Sequence, residues 1–272
     1  MPAAPILSLA APPPPYPGHL LQVGEPNNAA VRAVRARLNE LGCGAVPATG
    51  AFDAALRTTV KLFQSRFPDT DGQPLKVDGV VGPISWAALF GALAVPTPSG
   101  SPPPLLAAVL DVARTQIGVM EKPPGSNRGP EVDEYLRGVG LDPTRGSFAW
   151  CVAFVYFCFG RAASQLGRAN PMVRTAGVLD HWNKAGQRGI PRLLTADAVA
   201  KPQLVKPGQI FVISVGGGSG HTGLVEDVSG GKLVTIEGNT NDGGSHEGIG
   251  VFRRDQRKIN SINRGFIDYG KL

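Results

Sequence analysis

The stretch Ser147-Phe-Ala-Trp-Cys-Val-Ala-Phe-Val-Tyr-Phe-Cys-Phe159 decides how this chain is read. So dense an apolar run predicts a buried helix, with Cys151 at its start. A thiol at a helix N-terminus lies beside unpaired amides and the positive end of the helix dipole, a setting that favours thiolate. The same amides can hold a developing oxyanion. Cys158, two turns on, lacks that setting and is expected in the core.

Downstream the pattern turns to strands. After Lys206-Pro-Gly-Gln209, Ile210–Val215 predicts one strand. Residues His221–Val228 and Leu233–Asn239 predict a hairpin across Ser229-Gly-Gly-Lys232. Glu237 and Asn239 are two apart and so share a face. A three-residue loop over 229–231 would set His221 opposite Asn239 with Glu237 diagonal. A two-residue Gly230-Gly231 turn would move Glu237 and Asn239 to the other face. A site uniting the three therefore demands the longer loop or a bulge. Thiol, then histidine, then polar orienter is a sequence of parts suited to nucleophilic catalysis.

Upstream, Leu106, Val109, Leu110, Ala113 and Ile117 line one face of a helix over 105–117, which Gly118 stops. An irregular loop, Glu121–Pro130, precedes a short helix over 131–137. Asn127 and Arg128 in that loop are candidates for gripping a substrate carboxylate, since arginine matches carboxylates bidentately. An exposed basic loop is the alternative. Trp150 is a candidate substrate contact by its position before Cys151.

Two proline-rich stretches punctuate the chain. Residues 1–19 read as an extended arm, and 92–104, with Pro96-Thr-Pro-Ser-Gly-Ser-Pro-Pro-Pro104, as a semi-rigid linker. They delimit a small helical domain over 20–91 and a larger one over 105–272. In the first, Val31, Val34, Leu38 and Leu41 form one apolar helical face with arginines opposite. Asp53 caps a second helix lined by Leu56, Val60 and Phe63. The turn Asp78-Gly-Val-Val-Gly82 feeds a third helix carrying Trp86 and Leu89. Asp69-Thr-Asp71-Gly72 lacks the further oxygen ligands of a calcium loop and reads as a solvated acidic turn.

Across the 272 residues, 42% are apolar, enough for real cores. The net charge of +6 and pI of about 9.4 favour an anionic partner. No basic run or basic-aromatic stripe points to nucleic acid. No segment has the roughly 18 apolar residues of a membrane span. Cys151 and Cys158 would lie roughly 10 Å apart on one helix, too far for a disulfide. With Cys43 they are expected as free thiols, one reactive and two structural. No His or Cys pair has ligand spacing, so neither a metal nor another cofactor is expected. His181 and His246 have no catalytic context and read as surface or packing residues. The N-terminus lacks a basic region and an unbroken apolar stretch, so no secretory signal is read.

The motifs Val60-Lys-Leu-Phe-Gln64 and Asp78-Gly-Val-Val-Gly-Pro-Ile-Ser-Trp-Ala-Ala-Leu89 resemble the small peptidoglycan-binding domain found beside cell-wall hydrolases. Phe63, Trp86 and Leu89 are expected there as core. Trp150-Cys151, Lys206-Pro-Gly, Gly220-His-Thr-Gly-Leu-Val-Glu226 and Ile236-Glu-Gly-Asn239 resemble the CHAP family, relatives of NlpC/P60 enzymes. Gln209 stands where that family usually has Asp, at a position read as structural. The resemblance implies an α+β fold, a papain-like cysteine hydrolase domain preceded by a three-helix binding domain. It implies Cys151 as nucleophile, His221 as base and then acid, and Glu237 and Asn239 as imidazole orienters, either of which could dominate. It implies a monomeric peptidoglycan hydrolase that cuts stem-peptide amides. An endopeptidase is preferred to an N-acetylmuramoyl-L-alanine amidase, and a non-catalytic wall-anchoring protein is the remote alternative. An enzyme of this kind without a signal is expected to reach the periplasm as an endolysin, through a holin, or as an antibacterial effector. The effector would have a secretion apparatus and an immunity protein as partners.

Overall fold

Asn28 and Asp53 start the helices of the N-terminal unit. Asn28 Oδ1 accepts from the Val31 amide at 2.9 Å and Asp53 Oδ1 from that of Leu56 at 2.8 Å. They open α1 (Ala29–Glu40) and α2 (Ala54–Arg66), and Pro83 opens α3 (Pro83–Phe90). A computed structural model of the protein describes residues 12–241 and 248–272. The chain divides into two units after Val95.

In the first unit Val34, Leu38, Phe63, Trp86 and Leu89 are buried together, as their spacing predicts. The charged face of α1 is not wholly solvated, however. Arg35 is buried and donates to the carbonyls of Pro47 and Ala51, holding the loop that leads to α2. Gln64 is a second polar hub. Its Oε1 accepts from the Asp78 and Gly79 amides, and its Nε2 donates to Val80 O and Ser85 Oγ. One side chain thereby fixes the glycine turn before α3. The acidic loop closes on itself, with Asp69 Oδ1 accepting from the amides of Asp71 and Gln73.

Composition mislaid both edges of this unit. Tyr16 is buried against Trp86, whose Nε1 donates to Pro14 O, so this part of the proline-rich segment is packed down. Ala94 and Val95, assigned by composition to the linker, are also buried in the same core.

The second unit runs α4 (Pro104–Thr115), α5 (Pro130–Gly138), α6 (Cys151–Gln165), α7 (Val178–Gln187), β1 (Arg192–Leu194), α8 (Thr195–Ala200), β2 (Ile210–Gly216), β3 (Ser219–Ser229), β4 (Lys232–Thr240), β5 (Gly250–Lys258) and β6 (Gly265–Ile267). The strands form one antiparallel sheet in the order β1-β6-β2-β3-β4-β5. The protein is therefore α+β, with helices first and a sheet in the C-terminal region. One cluster joins Val109, Tyr135, Phe154 and Cys158 to Ile210, Leu224 and Ile236. A second joins Phe211, Val225, Leu233 and Phe266 to α8. The sheet is thus covered on both faces.

Cys43, Cys151 and Cys158 are free thiols. Among the described residues no helix is long and apolar enough to cross a membrane. No cluster of metal-binding side chains occurs among them either. His181 is a packing residue, buried with Nε2 at 2.9 Å from Tyr269 Oη. His246 lies outside the described residues. Gln209 is buried and structural in its contacts, accepting from Lys206 N and donating to Leu204 O and Asp268.

Candidate active site

A β-bulge aligns the site. The β3–β4 hairpin closes over two residues, Gly230 and Gly231, both at positive φ, and Ser229 faces Lys232. Continued along the strands, that register would turn Glu237 away from His221. Glu226 intervenes as an unpaired residue between Val225 and Asp227, and beyond it Leu224 faces Ile236. Past the bulge Glu237 lies on the same face as His221, whose ring it meets. Of the two solutions that the sequence allows, the chain uses the bulge.

His221 Nε2 lies 2.8 Å from Glu237 Oε2, both side chains being buried. Glu237 is held further. Thr235 Oγ1 donates to its Oε1 at 2.5 Å, and Arg257 on β5 forms a two-point contact, Nε to Oε1 and Nη2 to Oε2, the latter at 2.5 Å. Burial alone would push the Glu237 carboxyl up, but Arg257 and His221 outweigh it and hold it at about 2. Burial alone would push His221 down. Cys151 and Glu237 outweigh that and hold it up at about 9. His221 is thus close enough to Cys151 for the thiolate form to raise its proton affinity, yet Nδ1 makes no hydrogen bond of standard geometry.

Two glycines let these elements approach. A Cβ on Gly238 would lie 2.7 Å from Phe154 Cβ and 2.8 Å from Trp150 Cζ3, so its absence brings α6 against β4. A Cβ on Gly223 would lie 2.8 Å from Glu237 Cγ and 2.9 Å from Phe211 Cε1. Phe211 in turn packs against the His221 ring, at 5.9 Å between centroids, and under the Arg257 guanidinium at 4.9 Å. Cys151 begins α6, and no side chain caps that helix, so its first amides keep their capacity for an anion.

The remaining candidate residues separate. Asn239 is buried in a left-handed conformation, and neither amide atom finds a partner. It makes no bond to His221, whose ring nitrogen Nε2 meets Glu237 instead. Trp150 is fully buried and presents no surface to a substrate. Its Nε1 donates to Glu121 Oε1 at 2.8 Å. Arg128 is engaged by Asp133 through two hydrogen bonds, at 2.8 and 3.0 Å, which occupy the fork a substrate carboxylate would need. Asn127 donates through Nδ2 to Ser147 Oγ, and its amide donates to the buried Glu121. Asn127 thus ties the loop to the segment before Cys151, and Arg128 ties it to α5.

Sequence reading missed Thr235, Glu121 and Arg257. Thr235 was recoverable, being two residues from Glu237 on the same face. Nothing in the pattern separates Arg257 from its basic neighbours on β5.

Against protein families, residues 143–239 match the CHAP domain and residues 27–89 match a putative peptidoglycan binding domain. No curated protein and no solved structure matches the chain.

Proposed function

We propose that this chain, a peptidoglycan hydrolase in which a CHAP domain follows a peptidoglycan-binding domain, cuts stem-peptide amides with Cys151 as nucleophile and His221 as its base. The observation that carries the reading is the buried line Cys151, His221, Glu237. Each is charged or chargeable, and each shifts the next in the sense that the chemistry requires.

His221 Nδ1 takes the thiol proton, since Nε2 is committed to Glu237. The Cys151 sulfur attacks the amide carbonyl, and the carbonyl oxygen becomes an oxyanion beside the uncapped amides of α6. Asn239 offers a further donor, Nδ2, that the resting site leaves unused. Collapse breaks the C–N bond, and His221 gives its proton to the leaving amine. Water, deprotonated by His221, then attacks the thioester and frees the carboxylate and thiol. Glu237 balances the imidazolium charge of His221 through both halves.

Cys151 and His221 are only 3% and 2% exposed, so the approach to the nucleophile is narrow. This favours a slim peptide over a sugar-bearing amide, and we place the cut within the stems or their cross-links. A buried ion-paired network is expensive to keep, which argues against a wall anchor without activity. The place of action is proposed as the periplasm or wall. Cys151→Ala is expected to abolish release of muropeptides from purified sacculi while wall binding persists. Clearing of sacculi by the alanine protein would refute the mechanism. Mass spectrometry of the digest reads the bond, and free lactyl groups on intact cross-linked peptides would establish the amidase instead.

A further inference from the structure

The geometry points to Arg257 as a positioning residue of the catalytic line, clamping the Glu237 carboxylate so that it holds and charges His221. This rests on the reading of Cys151 and His221 as nucleophile and base.

Arg257 lies on β5, opposite Leu233. Its guanidinium nevertheless reaches along the sheet to both oxygens of Glu237. The contact is nearly dry, with side-chain exposures of 12% for Arg257 and none for Glu237. A planar fork meeting both carboxylate oxygens fixes position and rotation together, which a lysine cannot do. Thr235 shares Oε1 with Arg257, while Oε2 is left to meet both Arg257 and the imidazole. Phe211 lies under the guanidinium and against the His221 ring, so the clamp and the base share one wall.

The charged groups acting on Glu237 are His221 from β3 and Arg257 from β5. Thr235 adds a neutral hydrogen bond from β4, and Cys151 from α6 acts through His221. Burial favours the neutral carboxylic acid. With Arg257 gone, imidazolium would be the one of these two charges still opposing burial. The carboxyl would then take up a proton at higher pH, and a neutral Glu237 would no longer support the imidazolium partner of the thiolate. An adjacent Arg typically lowers a carboxyl by about one to three pH units, so the acid limb should rise by about one unit or more.

The test is the pH profile of Cys151 alkylation by iodoacetamide in the full chain, followed by mass spectrometry of the Cys151 peptide. It needs no wall substrate. Arg257→Gln is expected to move the acid-side inflection up by about one unit or more, and Arg257→Lys, which returns the charge without the fork, to place it between Arg257→Gln and the wild type. In the Glu237→Gln background, Arg257→Gln is expected to move the inflection no further, because Arg257 acts through Glu237. Melting temperatures taken alongside identify any variant that fails to fold; should Arg257→Gln be one, Arg257→Lys carries the test, with an inflection above that of the wild type expected and an unmoved one counting against the assignment. An unmoved inflection in folded Arg257→Gln, or a shift that adds in full to that of Glu237→Gln, would overturn the assignment. Muropeptide release by the wild-type chain is measured separately, and its failure would count against the hydrolase reading alone.

Discussion

Gly223 provides a sharp test of how tightly the proposed catalytic line of Cys151, His221 and Glu237 is packed. Adding one methyl group there as Gly223→Ala places a carbon 2.8 Å from Glu237 Cγ, 2.8 Å from Ile236 O and 2.9 Å from Phe211 Cε1. Comfortable contact begins near 3.5 Å, so each neighbour must yield about 0.7 Å. Ile236 O is backbone and cannot rotate away. Glu237 is fixed at both oxygens by His221, Thr235 and Arg257, bonds that tolerate a few tenths of an ångström. Overpacking of this kind typically costs about 1–3 kcal/mol. In a unit of this size that lowers the melting temperature by about 2–12 °C. Hydrolysis should fall further than folding, about tenfold or more at a temperature where the variant is still folded, because the displaced carboxylate is the one on His221. The control is Gly138→Ala at the end of α5. There the nearest atom is Tyr156 Cδ1 at 3.8 Å, and the change should be neutral or slightly stabilising. Differential scanning calorimetry and sacculus clearing measure both effects. A Gly223→Ala protein with wild-type melting and wild-type clearing would refute the packing argument.

The two buried histidines are shifted in opposite directions, and together they predict a stability maximum near pH 6.5. His221 is held up at about 9, so its contribution is whole below 6.5 and disappears as pH rises through 9. Burial holds His181 down at about 4, so its contribution is present above 6.5 and disappears as pH falls through 4. Melting temperature against pH checks this, and a His181→Gln variant that keeps the same acid-side decline would contradict it. Glu237→Gln leaves the Arg257 charge buried and unmatched, which should cost about 3–5 kcal/mol and show as a lower urea midpoint. A midpoint within experimental error of wild type would mean that the ion pair is not formed in solution. Gln64→Ala, which removes five hydrogen bonds to the turn before α3 and its neighbours, should destabilise the N-terminal unit and weaken sacculus pull-down. Unchanged pull-down and melting would show the turn to be held by other contacts.

Local signals were readable where the chemistry is local. Asp53 and Leu56 announce a helix start within four residues, and the run after Trp150 announces a buried helix. The order Cys151, His221, Glu237 is likewise visible along the chain. What sequence could not convey is geometry set by distant partners. Trp150 looked like a substrate contact because it adjoins the thiol, yet Glu121 draws it into the core from 29 residues away. Arg128 looked available until Asp133 filled its fork. Arg257 meets Glu237 only because β4 and β5 pair, and four basic residues on β5 share the same local pattern. The segments that became β1, α8 and β6 carried too few periods to stand out from their loops, whereas α7 did carry a helical pattern, Val178, Trp182 and Ala185, that went unread.

The strand order has a consequence for biosynthesis. β6 lies between β1 and β2, so the edge of β2 at Ile210–Val212 has no partner until residues 265–267 have been made. At typical elongation speeds that interval lasts about 3–10 s. Throughout it the nascent chain presents Ile210, Phe211 and Val212, all fully buried in the finished fold, along an open edge. A chain truncated before Gly265 would retain Cys151, His221, Glu237 and Arg257 and yet keep that adhesive border permanently. Its loss of activity would come from aggregation, with every residue of the proposed catalytic line still encoded.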